Sequence, residues 1–324
     1  VFEGDQSGVM AGDSDKSRLD DAARAGWLYF IAGHTQDEIA RMLQVSRASA
    51  QRLVSLCLAE RLITFRLEHP IASCMALAAQ LKERFALVHC EVVPTDPAAP
   101  TGSAGIAERC ANLLETTLRA ETPVIIALGT GRAVRAAVER VSPVDRPEHQ
   151  IVSLVGNILA DGSASFFDTV GRLADRTGAR HYPMPLPFLM GSEDERDRMV
   201  RLDAIAKVKG VADKADLKLI GIGQMDQKAQ MHVDGFVTRD ELTEMMRLGA
   251  IGEITGWAYD ASGKVIEGGT NRRLTSIPPD VPARAMTIAA ALGPAKIPAI
   301  RAALTGRLIN GLITDEATAR AILA

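Results

Sequence analysis

The stretch Val124-Ile125-Ile126-Ala127-Leu128-Gly129-Thr130-Gly131-Arg132-Ala133-Val134 reads as a buried strand, a glycine turn and the opening of a helix. An unbroken apolar run closed by a turn signal marks a strand covered on both faces, as in a parallel sheet. At the turn, free backbone N–H groups, the Thr130 hydroxyl and the Arg132 charge form a cradle suited to an anion. The same grammar recurs along the chain. Apolar stretches from Leu87 to Val93, Pro123 to Leu128, Ile151 to Val155, Leu217 to Gly221, Thr287 to Ala291 and Leu308 to Thr314 alternate with helical patterns, among them Ile106 to Ala120. Alternating strands and helices predict an α/β fold, a largely parallel sheet with helices on both faces.

Ligands of such sheets sit beyond the carboxyl ends of the strands. Two further glycine loops fall there: Gly221-Ile222-Gly223-Gln224-Met225, and Gly293-Pro294-Ala295-Lys296, where a proline opens a helix. Neither the full dinucleotide fingerprint nor the phosphate-loop pattern G-x-x-x-x-G-K-[ST] is present, so no nucleotide cofactor is expected. A small phosphorylated or polyhydroxylated ligand is.

Upstream the grammar is helical. Leu19, Ala22, Ala23, Gly26, Trp27 and Ile31 space a first core helix, which Gly33 and His34 interrupt. Thr35 stands three residues before Glu38, the spacing of a capping box, and predicts a short helix from Gln36 to Leu43. Gln44 and Val45 turn the chain, and Ser46 caps a longer helix to about Glu60. This pair buries Ile39, Ala40 and Leu43 against Val45, Ala50, Leu53 and Val54, and turns Arg47, Ala48, Ser49, Gln51 and Arg52 outward. That is a helix-turn-helix, an all-α DNA-binding module. Arg and Gln can pair with base edges, and Ser46 and Ser49 can reach phosphates from a helix start; Gln36 joins them at the first helix. Arg61 to Leu67 is expected to form a wing. The bland reading is a packing or dimerisation unit with a solvated polar face.

The 324 residues carry 47% hydrophobic and 24% charged side chains, a globular balance with room for two domains. With 37 basic against 40 acidic residues the formal charge is -3, so nucleic acid must be held by a local surface rather than a global field. The four cysteines form no C-x-x-C pair and the six histidines no metal-binding spacing, so neither a disulfide framework nor a metal is expected. No apolar run approaches the roughly 18 residues of a membrane span, and a cytoplasmic protein is expected. The expected layout is a flexible leader over 1–17, the helix-turn-helix over 18–69, a linker or oligomerisation helix over 70–86 and an effector domain over 87–324.

With Leu128-Gly-Thr-Gly-Arg132, Tyr182-Pro-Met-Pro-Leu-Pro-Phe188, Gly221-Ile-Gly223, Gly249-Ala-Ile-Gly-Glu-Ile254, Ala258-Tyr-Asp260, Ser262-Gly-Lys264 and Leu312-Ile-Thr-Asp-Glu316, the chain resembles the SorC-type (DeoR-related) bacterial sugar-responsive transcriptional regulators. The resemblance covers everything after residue 17. It implies an effector domain folded like the sugar-phosphate isomerases and deaminases, a dimer or tetramer, and an operator whose occupancy a sugar, polyol or sugar phosphate controls. Carried over by motif, Gly129, Thr130, Gly131, Arg132, Gly221, Gly223, Gln224, Glu253 and Lys296 face the effector. Two positions depart from the pattern: Glu253 stands where the family has aspartate, and Gly293-Pro294 where it has paired glycines.

Glu253 and Asp260 can each bond vicinal hydroxyls, or serve as turn residues; the ligand role is assigned to Glu253 and the turn role to Asp260. Lys296 is read as a phosphate partner, and Asn157 as lining the same cleft or bonding backbone. Tyr182 to Leu189, with alternating prolines, is read as a rigid edge packed on the sheet that gives shape rather than contact. The rival function is an isomerase or deaminase bearing a helical module, but no carboxylate and histidine are grouped in one loop as acid and base. A third reading, an adaptor, predicts neither ligand nor DNA.

Overall fold

The structure, a computed structural model, describes residues 9–63, 71–159, 162–163 and 168–324, with side chains from Ser17 onward. The chain divides between His69 and Pro70 into two compact units.

The first unit holds α1 (Val9–Gly26), a π-helical segment Trp27–Ile31, α2 (Gln36–Met42) and α3 (Arg47–Ala59). The leader expected over 1–17 is helical from Val9 on, because a helix once nucleated adds a backbone bond per residue without needing an apolar face. Residues 1–8 lie outside the described residues, as does the expected wing beyond Ile63. Thr35 and Glu38 form the capping box reciprocally, Thr35 N–H donating to Glu38 Oε2 at 2.8 Å and Glu38 N–H to Thr35 Oγ1 at 3.4 Å. Gln44 takes a left-handed φ of 55° at the turn, and Ser46 Oγ accepts from Ser49 N–H at 3.1 Å to start α3. Ile39, Ala40, Ala50 and Val54 close on Ala25, with Leu28, Phe30, Leu43, Val45 and Leu53 packed around them.

The second unit runs α4 (Ala72–Phe85), β1 (His89–Val93), α5 (Ala104–Leu118), β2 (Ile125–Leu128), α6 (Arg132–Val138), β3 (Gln150–Ile158), α7 (Thr169–Thr177), β4 (Arg180–Pro187), α8 (Glu193–Val200) and α9 (Asp203–Ala212). It continues with β5 (Leu217–Gly221), β6 (Gly223–Gln224), α10 (Gln230–Val233), α11 (Arg239–Arg247), β7 (Gly252–Ile254), β8 (Trp257–Tyr259), β9 (Met286–Ala290), α12 (Ile297–Thr305), β10 (Gly311–Asp315) and α13 (Glu316–Leu323). The helix expected as a linker or oligomerisation helix, α4, belongs to this unit, its Leu77 and Leu81 buried in one core with Leu312 and Ile322. Apolar spacing alone does not say which neighbour a helix packs on.

The seven-stranded sheet has the order β1-β10-β9-β5-β2-β3-β4, and every neighbouring pair is parallel. Alternate residues serve opposite faces. Ile126, Leu128, Leu217, Leu219, Ile288 and Ile313 pack toward α5, α6 and α7, whereas Ala127, Ile220, Ala289 and Leu312 pack toward α4, α9, α12 and α13. The proline-rich segment forms the edge strand β4, whose pairing with β3 shifts register after Val152 and again after Gly156. Proline is tolerated there because an edge strand need not donate on its outer side. From β2 the chain winds outward to β3 and β4; with β5 it returns to the other flank of β2 and winds outward again. The topological switch point therefore lies between β2 and β5, where the crossovers diverge and leave a crevice. A three-stranded antiparallel ribbon, β6-β7-β8, is the element the sequence pattern did not reveal, since strands of two and three residues carry no periodicity.

Candidate functional site

At that switch point the 129–132 loop after β2 and the 221–224 loop after β5 meet, joined by the Gly129 N–H donating to Leu219 O at 2.9 Å. They wall a cavity of about 390 Å³ whose lining includes Thr130, Gly131, Arg132, Gly221, Gly223, Gln224, Glu253 and Lys296. Residues from positions more than 160 apart in sequence thus come together as expected. Gly131 has φ 113°, a conformation that turns the chain into α6 with no side chain capping its first N–H groups. Gly293, at φ 105°, leads into the 3-10 turn Pro294–Lys296 ahead of α12.

Glu253 reaches the cavity from β7. Its Oε2 accepts from Gly256 N–H at 2.8 Å, and Gly223 N–H also donates to the carboxylate. Both Glu253 and Lys296 keep a little surface toward the cavity and are enclosed by protein elsewhere. Burial pushes the Glu253 carboxyl up, against the two glycine N–H groups and the Lys296 charge. Burial lowers the Lys296 ammonium, Glu253 opposes that, and the Arg132 charge adds to it. The two groups are therefore an electrostatic pair, each partly compensating the other's lost hydration. Glu253 braces the β7–β8 turn, one of the two roles weighed for it, and also lines the cavity.

Arg132 projects from the start of α6, 62% exposed along its side chain, toward α10 on the opposite wall. Its Nη1 donates to Gln230 Oε1 at 2.7 Å and its Nη2 lies 3.4 Å from Asp234 Oδ1, to which Gln230 Nε2 donates at 2.8 Å. Sequence reasoning did not find Gln230 and Asp234. Their i,i+4 spacing on a polar segment was visible, but nothing local links them to an arginine about a hundred positions upstream. Also unforeseen is an apolar wall of Met231, Phe236 and Phe188, the two rings 4.7 Å apart between centroids. Phe188, in the proline-rich segment Tyr182 to Leu189, thus lines the cavity. Thr130 Oγ1 and Gln224 Oε1 are buried at this cavity with no hydrogen-bond partner among the described residues.

Asn157 lies elsewhere. It lines a separate cavity of about 30 Å³ with Gly129, Thr130, Gly156 and Asp168, reaching the larger one only through the shared Thr130. The cause is β3, which carries Asn157 past the end of β2 on the side away from β5. Asp260 is a turn residue: its Oδ1 accepts from the backbone N–H groups of Ser262 at 2.8 Å and Lys264 at 3.0 Å. Asp315, not Thr314, caps α13.

In the first unit Arg47, Ala48, Gln51 and Arg52 are exposed, while Ser49 and Gln36 are half-buried. The Ser46 hydroxyl is engaged in capping, 2.9 Å from Ser49 Oγ. Arg47, 70% exposed, reaches across to Asp37 of α2 at 3.3 Å, while Arg52 lies along α3, its Nε donating to Ala48 O at 3.2 Å; both remain open to solvent. No group of residues that could hold a metal ion occurs among the described residues, and none of their helices is long and apolar enough to cross a membrane. The four cysteines are free and buried; burial pushes the Cys90 thiol up to about 12.

Residues 69–324 match the family model Sugar-bind, described as "Putative sugar-binding domain". The chain is 31% identical over 307 residues to the erythritol catabolism regulatory protein EryD of Brucella abortus, covering 93% of this chain and 96% of that protein. It is 29% identical to the transcriptional regulator LsrR of Klebsiella pneumoniae over 93% and 92% of the two chains. Its fold matches the full-length sorbitol operon regulator SorC of Klebsiella pneumoniae with a TM-score of 0.69 at 24% identity, over 94% of this chain and 98% of that one.

Proposed function

Since the chain belongs to the SorC-type family of transcriptional regulators with a sugar-binding domain, we propose that the switch-point cavity is its effector site and that α2 and α3 hold its operator. It is a regulator rather than an enzyme, as are the relatives it matches along nearly their whole length. The observation that carries the effector reading is the convergence of three glycine loops on one cavity that holds the half-buried Glu253 and Lys296 and two unpartnered polar atoms. Such a lining suits a small polyhydroxylated compound: carboxylate, amide and hydroxyl oxygens accept from its hydroxyls, and backbone N–H groups donate to them.

Control is linkage. The effector shifts the operator-binding equilibrium by no more than the difference between its affinities for the two forms. Self-association as a dimer or tetramer places two α3 helices about one DNA turn apart, and so favours a palindromic operator. Thermal unfolding of the full chain against free and phosphorylated sugars and polyols tests the site. The four-carbon polyol erythritol comes first, because the Brucella relative regulates its catabolism. A ligand at 100 times its Kd stabilises by about 2.7 kcal/mol, and the gain is expected to vanish in Lys296→Ala. No stabilisation by any member of the panel refutes the effector site. Unchanged operator affinity in Arg47→Ala/Arg52→Ala refutes the DNA face.

A further inference from the structure

The charged side chains among the described residues lining the cavity are Arg132, Lys296, Asp234 and Glu253. Arg132 is tied to Asp234 at 3.4 Å and to Gln230 at 2.7 Å, and Lys296 shares the cavity wall with Glu253, whose carboxylate acts on its charge. The lining therefore sums to no net formal charge. From this balance, and resting on the effector reading above, we infer that Asp234 and Gln230 are specificity-determining residues that make the cavity select an uncharged polyol over its phosphate monoester.

A phosphate monoester carries roughly -1.5 to -2 charges at neutral pH and must shed its hydration to enter. Lys296 meets it beside the Glu253 carboxylate on the same cavity wall, which repels the anion. Arg132 can turn to it only against Asp234, which holds the guanidinium across the cavity and repels the incoming anion. Helix-start N–H groups at Gly131 still offer hydrogen bonds, but a hydroxyl oxygen accepts those equally well. A neutral polyol leaves the Arg132–Asp234 pair standing, and its hydroxyls donate to Gln224 Oε1 and Thr130 Oγ1, the two orphaned atoms of this cavity. Gln230 supports the arrangement by bonding both members of the outer pair, which fixes the guanidinium toward α10.

Asp234→Asn keeps the shape and the Gln230 bond while removing the competing charge. Calorimetric titration of the full-length protein with erythritol, ribitol and sorbitol, and with the monophosphate of each, is the test. The wild type is expected to bind at least one free polyol about tenfold or more tighter than its monophosphate. Asp234→Asn is expected to narrow or reverse that ratio by roughly tenfold, the scale of one unit charge a few ångströms away in a partly hydrated site. A second substitution, Arg132→Gln in the Asp234→Asn background, is expected to undo the gain for the monophosphate. Tighter binding of a monophosphate by the wild type overturns the inference and leaves the effector site intact, as does a ratio that Asp234→Asn does not move. Binding of neither form by the wild type overturns the effector site and the inference with it.

Discussion

Two glycines show how one residue type does different work. Gly131 sits at φ 113° with open space where a Cβ would stand, so alanine there meets only backbone strain, about 1–3 kcal/mol. Gly263, φ 82°, closes the Asp260 turn with its hydrogen directed at α12; an added Cβ would lie 2.4 Å from Ala302 O. Gly263→Ala is expected to cost more than Gly131→Ala in denaturant midpoint yet leave effector affinity per folded molecule alone. Gly131→Ala is expected to lower that affinity with the smaller loss of stability. Equal stability losses would contradict the assignment. The sequence marked both as turn glycines, but which one faces a ligand depends on what lies across the gap.

Local capping was legible at the scale of elements, because a capping box spans four residues and needs no tertiary partner. Thr35 and Glu38 form one as the spacing predicted, and Thr238 with Glu241 form a second at the start of α11. Glu241 gains a further partner that spacing could not announce, Arg273, on the 3-10 turn Gly269–Arg273. Burial raises its carboxyl, but the Thr238 N–H and hydroxyl and the Arg273 guanidinium outweigh burial and hold it below the ordinary range. A depressed folded pKa means that the stabilisation is complete above the ordinary carboxylate value and fades as pH falls through the lowered one. Glu241→Gln is thus expected to destabilise at neutral pH, and its deficit against wild type to shrink below about pH 4. A pH-independent deficit would remove the ion pair and charged cap from the account. Thr238→Ala is expected to cost about 1 kcal/mol at neutral pH.

On the proposed reading the molecule couples two chemistries. The cationic residues of α3 are then expected to make operator binding fall steeply with salt, and Arg47→Ala/Arg52→Ala to reduce the slope of log K against log salt by about 2. Gel-shift titrations from low to moderate salt measure it. Linkage adds a reciprocal expectation: whatever factor effector exerts on operator affinity, saturating operator must exert on effector affinity. Calorimetry with and without operator DNA checks this, and unequal factors would exclude a single coupled equilibrium. Most of the parallel strands, β2, β3, β5, β9 and β10, were readable as apolar runs with glycine close by. The edge position of β4 followed from its prolines.

The sequence by itself determined the α/β class, the helix-turn-helix with its caps and core, and the three glycine loops at strand ends. All of these depend on contacts a few residues apart or on periodicity along one segment. Only the tertiary structure decided that Asn157 faces a different cavity, that α4 belongs to the larger unit, that Arg132 meets Asp234, and that Lys296 shares a cavity wall with Glu253. Those outcomes depend on strand order and on where crossovers land. Both bring together residues from tens to hundreds of positions apart, and no local pattern encodes such a meeting.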